Sequence, residues 1–310
     1  MEKSTCFRDF AKYTSLNVMG MVGLSCYILA DTFFVSKGLG TNGLTALNLA
    51  IPIYSFIHGS GLMIGMGGGT KYSIQKSQKA HDRANRTFTN AVCLAACFAV
   101  FFVLTGIFFS GSIISLFGAD GTVYQMSKTY LQVILLFSPA FLLNNVLLCF
   151  VRNDGAPQLS MSAMIVGSLS NVVLDWVFIF PCQMGIFGAV LATGLAPVIS
   201  MLILSFHFIR KKHQFHLVKH RPQGSLCAGI LSSGIPSLVT EVSSGVVMIA
   251  FNSIILRLAG NVGVAAYGVI ANLSLVILAI YTGIAQGIQP IISRNYGRQN
   301  YRNIHAILRY

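Results

Sequence analysis

Residues 38–70 read GLGTNGLTALNLAIPIYSFIHGSGLMIGMGGGT, a run without a single Asp, Glu, Lys or Arg. A helix needs about 20 apolar residues to cross the hydrocarbon core of a bilayer, and this run exceeds that length. Equally charge-free runs recur at 87–119, 129–151 and 258–293. Across all 310 residues 54% are apolar and 9% are charged, and the mean hydropathy is +0.70. A soluble domain carries about 25% charged residues, so this chain cannot dress a water-facing surface. The composition excludes a soluble enzyme, a disordered chain and a coiled coil. The runs also lack the alternating ~10-residue pattern of barrel strands. An all-α polytopic membrane protein follows.

Working outward from that run, eight spans can be drawn, at about 13–36, 44–70, 88–109, 129–151, 158–180, 186–209, 229–256 and 263–290. With the amino end inside, the inner segments hold Lys3, Arg8 and Lys12; Lys71, Lys76, Lys79, Arg83 and Arg86; Arg152; Arg210, Lys211, Lys212, Lys219 and Arg221; and Arg294, Arg298, Arg302 and Arg309. The outer segments hold only Lys37, Lys128 and Arg257. Cytoplasmic loops collect Lys and Arg, so this split predicts a multi-pass protein of the cell (plasma) membrane with its amino end cytoplasmic. The net charge of +13 then reports topology. The expected partners are the lipid bilayer and a small-molecule substrate, with no nucleic acid, and a monomer is expected. The first apolar stretch is too long for a cleaved signal and reads as a retained span. The seven cysteines show no metal-ligand spacing and read as free thiols. The polar run 210–221 reads as a solvated inner loop near anionic lipid. It divides an amino-terminal lobe, 1–222, from 223–310.

Shifting the chain by 220 residues aligns Gly40 with Gly260, Gly43 with Gly263, Ala46 with Ala266, Ile57 with Ile277, Ile64 with Ile284, Gly67 with Gly287 and Ser73 with Ser293. Lys37 falls on Arg257. Spans seven and eight therefore repeat spans one and two, and one repeat unit holds six spans. Six is even, so the second unit enters with the orientation of the first. Parallel repeats about an axis along the membrane normal are an arrangement of secondary transporters. The expected fold is a two-lobe parallel-repeat transporter, six helices per lobe, with the second lobe incomplete. On this reading the chain looks truncated after span eight.

Three of the eight acids, Asp31, Asp175 and Glu241, fall within spans. Intramembrane acids are costly and usually face a polar interior. No Lys or Arg lies deep in any span, which leaves a cation from solution, H+ or Na+, as their partner. The plainer alternative is a protonated acid hydrogen-bonded to a neighbouring helix. Asn171 and Asp175 share a face of span five at i, i+4, as Tyr27 and Asp31 do on span one. Thr193 adds a hydroxyl in mid-span six. No catalytic residue, metal centre or cofactor is expected beyond the coupling ion. His58 reads as a packing residue, and Tyr130, Gln132, Asn144 and Asn145 as cavity lining. Gly67–Gly69 lack the context of a phosphate loop and read as close packing or a hinge. Pro139, Pro197 and Pro236 are candidate kinks.

Several segments carry a family resemblance: ILADTFFV at 28–35 followed by Gly38, Gly40 and Ala46; VRNDGAP at 151–157; NVVLD at 171–175; GIFGA at 185–189 with Ala192 and Thr193; GIP at 234–236; and GIQP at 287–290 with NYG at 295–297. Together they resemble the multidrug and toxic compound extrusion (MATE) family, in its bacterial subgroup with an acid in helix one. The resemblance implies a cation-coupled antiporter that exports drugs or other small, often cationic lipophilic compounds by alternating access. It implies a cation site built from Asp31, Asn171, Asp175 and Thr193, with Tyr27 and Tyr130 beside it. Relatives often carry a proline early in helix one, where this chain has Leu16 or Asn17. The rival readings are a lipid-linked oligosaccharide flippase of the same superfamily, an intramembrane enzyme, and an inactive fragment of a transporter. A flippase needs cations in its cavity to hold phosphate, and the spans show none.

Overall fold

The computed structural model describes residues 2–119, 121–211, 213–219 and 221–309. Its description omits the side chains of 2–5, 248–249, 252–253, 256–257, 259–269 and 271–272. Asp120 and Lys212 therefore lie outside the described residues, as do the side chains behind the repeat pairs Lys37/Arg257, Gly40/Gly260, Gly43/Gly263 and Ala46/Ala266. The helices are α1 (Glu2–Ser77), α2 (His81–Phe108), α3 (Ser110–Leu116), α4 (Gly121–Leu136), α5 (Ser138–Asn153), α6 (Pro157–Ile179), α7 (Gly185–Ile209), α8 (Gly224–Gly297) and α9 (Tyr301–Ile307).

The long α1 is two arms. Gly40 interrupts it at φ 66°, ψ −157°, a conformation that only glycine adopts freely. The arms lie antiparallel: Tyr27 and Tyr54 share a hydrogen bond at 3.1 Å, and Arg152 touches both Asn17 and Met66. In α8 both ends also lie together. Gly67 abuts Ile230 and Gly287 abuts Thr14, while Ser73 Oγ donates to the Pro290 carbonyl at 3.3 Å. Helix α1 ends at Ser77 and α8 at Gly297, which keeps the 220-residue register. Helices α4 and α5 bend by 47° at their junction. Pro139 sits in the first turn of α5, where its missing N–H is tolerated. Among the described residues six helices are long and apolar enough to cross a membrane, or seven with α4–α5 taken as one bent span, and α1, counted once there, is two arms.

Packing follows a helical period. On α2 the buried residues include Ala84, Phe88, Ala91, Ala95, Ala99 and Phe102, spaced by three or four, and the small ones let neighbouring helices approach closely. Val100, Phe101, Leu104 and Phe108 of the same helix are exposed, as lipid-facing residues would be. Gly67, Gly68 and Gly69 are packing glycines: a Cβ there would run into the Ile230 carbonyl, the Phe150 ring and the Asn153 amide respectively.

Lys71, Lys76, Arg152 and Arg294 mark one end of the molecule, the basic end. Asp154 is its hub. The carboxylate accepts from Tyr72 Oη at 2.6 Å, from Lys76 Nζ at 2.5 Å, from the Gln214 backbone N–H at 2.9 Å, and pairs with His207 Nε2 at 2.8 Å. Burial opposes ionisation of Asp154, but the bonds from His207, Lys76 and Tyr72 outweigh it and hold its carboxyl below the usual carboxylate range. Gly155 at φ 100° makes the turn that follows.

The segment after α7 departs from its reading as a solvated loop. Residues 213–219 and 221–223, without regular secondary structure, cross the basic end of the bundle. Asn85 accepts from the His216 N–H at 3.2 Å, Thr89 from Val218 N–H at 3.0 Å and Asn90 from Gln223 N–H at 2.9 Å. Phe215 is fully buried among Tyr72, Phe88, Phe150 and Phe208. The physical reason is that α2 presents three polar side chains to backbone donors that would otherwise lack partners, and one aromatic anchors the strap.

Candidate cation site and central cavity

Asp31 sits in the first arm of α1 nine residues before the Gly40 break, and Asp175 sits near the end of α6. Both are buried, at 6% and 0% exposure, and their carboxyl groups come within hydrogen-bonding reach of each other. Asn171, one turn before Asp175, is fully buried. With its amide oriented to satisfy both ends, Asn171 donates to Asp175 Oδ2 at 3.0 Å and accepts from the Thr193 backbone N–H at 3.2 Å. Thr193 Oγ1 donates to the Ala189 carbonyl at 3.1 Å, and Thr193 and Tyr130 line the same cavity. The structure thus brings Asp31, Asn171, Asp175 and Thr193 into one cluster, with Tyr27 and Tyr130 beside it.

Asp31 Oδ1 and Asp175 Oδ1 have no hydrogen-bond partner among the described residues, and neither acid forms an ion pair there. Two carboxyls this close cannot both be ionised without something positive between them. The donors in reach are carboxylate, amide and hydroxyl oxygens, a set suited to a proton or a small hard cation.

Asp31, Tyr27, Tyr54, Tyr130 and Thr193 also face a cavity of about 790 Å³. Its opposite wall belongs to α8, from Val239 to Phe251 and from Ser274 to Leu278, and includes Glu241. Glu241 therefore stands across the cavity from the acid pair, apart from the cluster. Among the described residues, no Lys, Arg or His lines this cavity.

Sequence reasoning missed Arg152. The one basic residue between spans four and five is 2% exposed, inside the molecule where no basic side chain was expected. Its Nη1 donates to Asn17 Oδ1 and to Gln286 Oε1, the latter at 3.4 Å, and its Nη2 meets Met66 Sδ at 3.3 Å and Cys149 Sγ at 3.6 Å. Asn17 also donates to the Gly283 carbonyl at 2.9 Å. Beside it, Gln289 joins Asn153 and Thr70 at 3.0 and 2.9 Å. These contacts clasp α8 to α1 and α5 at the basic end. The available signal was a lone Arg in a segment whose counterparts hold three to five basic residues. His58 follows its packing reading: it stacks on Tyr54 at 5.8 Å between ring centroids and meets Asn145 Nδ2 at 3.2 Å.

A family model, MatE, matches residues 18–177 and 236–310. The chain belongs to the MATE family. Members of this family are transporters and not enzymes. The chain is 27% identical over 297 residues to the multidrug export protein MepA of Staphylococcus saprophyticus and 24% identical to MepA of Staphylococcus aureus. It spans 66% of the length of these curated relatives and 95% of it is covered. It also resembles a structure of the MATE multidrug transporter DinF-BH, with a TM-score of 0.87 at 27% identity, covering 97% of this chain and 68% of that one. The outward-facing conformation of a multidrug resistance MATE family transporter shares the fold with a TM-score of 0.90 at 24% identity, covering 96% of this chain and 67% of that one. The all-helical MATE transporter fold and a multi-pass membrane setting follow for this MATE chain.

Proposed function

We propose that this chain serves in a cation-coupled antiporter that exports small, often cationic lipophilic compounds by alternating access. Asp31, Asn171, Asp175 and Thr193 hold the coupling ion, H+ or Na+, with Tyr27 and Tyr130 closing the site. Residues 1–222 form the first lobe and 223–310 begin the second. The observation that carries this reading is the buried acid pair, without a basic partner among the described residues, with Asp31 on the wall of a large cavity whose described lining holds carboxylates and no cationic side chain. A cation entering between Asp31 and Asp175 offsets their mutual repulsion, and Asp31 faces the cargo space, so ion and cargo compete for one stretch of α1. Glu241 adds negative potential for a cationic cargo. The names of the MepA relatives support drug export, and the charge asymmetry of the loops supports a cytoplasmic amino end in the plasma membrane, with the monomer as the working unit.

The test is drug efflux by cells expressing the protein. Asp31→Asn and Asp175→Asn should each reduce efflux to background while membrane abundance holds. Normal efflux by both would return the acids to a structural role. For topology, in a cysteine-free background, Leu116→Cys should react with an impermeant outside reagent and Leu217→Cys should not. Both positions are exposed, so labelling of the second from outside would reverse the orientation.

A further inference from the structure

A second cavity, of about 80 Å³, runs inside the first bundle. It begins at Tyr27 and Thr193 beside the acid pair, passes His58, Asn144 and Ser200, and ends at Arg152 and Gln286 at the basic end. Its volume has room for roughly three waters. Its lining has the polar partners such waters need: Asn144 Oδ1, Arg152 Nε and Ser200 Oγ are buried without a hydrogen-bond partner among the described residues. Tyr27, Tyr54 and Thr193 line both this cavity and the larger one, so the two meet at the candidate cation site.

The guanidinium that closes the narrow cavity is charged and uncompensated. No carboxylate forms an ion pair with Arg152 among the described residues. Its acceptors are two neutral amide oxygens and two sulfurs, and sulfur is a weak acceptor. A structural arginine in a membrane interior normally pairs with a carboxylate or with backbone carbonyls, and the contacts of Arg152 above are all to side-chain atoms. A fixed positive charge at a constriction is, physically, a barrier to cations.

We propose that this narrow cavity is the coupling ion's own conduit between the acid pair and the basic end, separate from the cargo cavity, and that Arg152 is its electrostatic barrier. The inference rests on the acid pair being the coupling-ion site. The clasp through Asn17 and Gln286 holds the barrier in place while α8 is closed on the basic end. When α8 swings away, Gln286 leaves and the guanidinium is released, so the conduit opens only in step with the cargo cavity. Neutral acceptors suit a latch that has to open, because they hold the arginine less tightly than a carboxylate would.

The experiment is passive cation entry into proteoliposomes containing the full chain, with no drug present, read by an internal pH dye under a proton gradient and by radioactive sodium uptake. Wild type and Arg152→Lys should be tight. Arg152→Gln should leak about tenfold more, since removing one like charge near a confined cation is worth that much or more. Gln286→Glu keeps the shape, gives Arg152 a counter-charge and should leak as well, which decides the matter if Arg152→Gln fails to incorporate. Adding Ser200→Leu to either leaky variant should block the conduit and restore tightness. Leak in Arg152→Lys equal to that in Arg152→Gln would make the effect packing and overturn the barrier. Tight Arg152→Gln or Gln286→Glu vesicles at matched protein content would overturn it too. Drug-driven cation flux in Asp175→Asn vesicles tests the acid-pair reading separately: normal flux there beside a leaking Arg152→Gln would sink the site assignment and leave the barrier standing.

Discussion

Two buried carboxylate regions of this chain are built in opposite ways. Asp154, at the basic end, has four donors, two of them capable of positive charge, and its partners come from three separate parts of the chain: Tyr72 and Lys76 from the second arm of α1, His207 from α7, Gln214 from the strap. Asp31 and Asp175, toward the other end, have each other, one amide, and carboxyl oxygens with no partner among the described residues. The first arrangement is closed: the acid's hydrogen-bonding capacity is spent within the protein, and it holds four segments in register. The second is open: two like groups face each other and neither forms an ion pair among the described residues. An acid that stabilises a fold and an acid that binds something transient can be told apart by whether the protein itself completes their charge.

Substitutions that treat the two regions alike should give opposite results. The largest effect is on transport. Asp175→Asn should lower cation-driven efflux to background, as expected for loss of a functional intramembrane acid, yet shift thermal stability by less than about 1 kcal/mol, because the amide relieves a like-charge contact. A large loss of folded protein in that variant would break the comparison. Next comes Phe215→Ala, which empties the aromatic cluster under the strap and should cost about 3–5 kcal/mol, read as a lower melting temperature in detergent. Asp154→Asn should follow, at about 3 kcal/mol or more, since it leaves Lys76 and His207 without their shared anion. An unchanged melting temperature there would show that the hub is not structural.

The same hub has a pH signature. Its folded pKa lies below the ordinary carboxylate value, so its contribution is complete above the unfolded value of about 3.9 and is lost as the pH falls through the lower folded value. Acid unfolding followed by tryptophan fluorescence should therefore shift to higher pH in Lys76→Met, which removes one of the bonds that depress the pKa. The smallest effect is at the strap's edge. Asn85→Ala removes the acceptor of the His216 N–H and should cost about 1 kcal/mol, with faster hydrogen exchange confined to 213–223.

The contrast was only half visible before folding. Asp31 and Asp175 stand out in sequence because each is an acid in a long apolar run, and Asn171 joins Asp175 by helical spacing alone. Asp154 gives no such sign, since it sits in the polar stretch RNDG where an acid is unremarkable. Arg152 likewise reads as an ordinary loop-end cation. Its burial depends on Asn17 and Gln286, which lie more than a hundred residues away on either side.

The sequence by itself determined the features that are local or periodic. Apolar runs of bilayer length dictate helices, because no other short segment satisfies its own backbone in lipid. The spacing of Gly and Ala dictates which helices can approach closely. The 220-residue register dictates that α8 copies α1, down to the matching ends at Ser77 and Gly297. What only the tertiary structure decided is which side chains complete one another across distant segments. The strap on α2, the hub on Asp154, the clasp on Arg152 and the meeting of Asp31 with Asp175 are all pairings between separate helices. Helix periodicity fixes which face a residue occupies, but the partner opposite that face is set by how the helices cross, and that depends on all of their packing surfaces together.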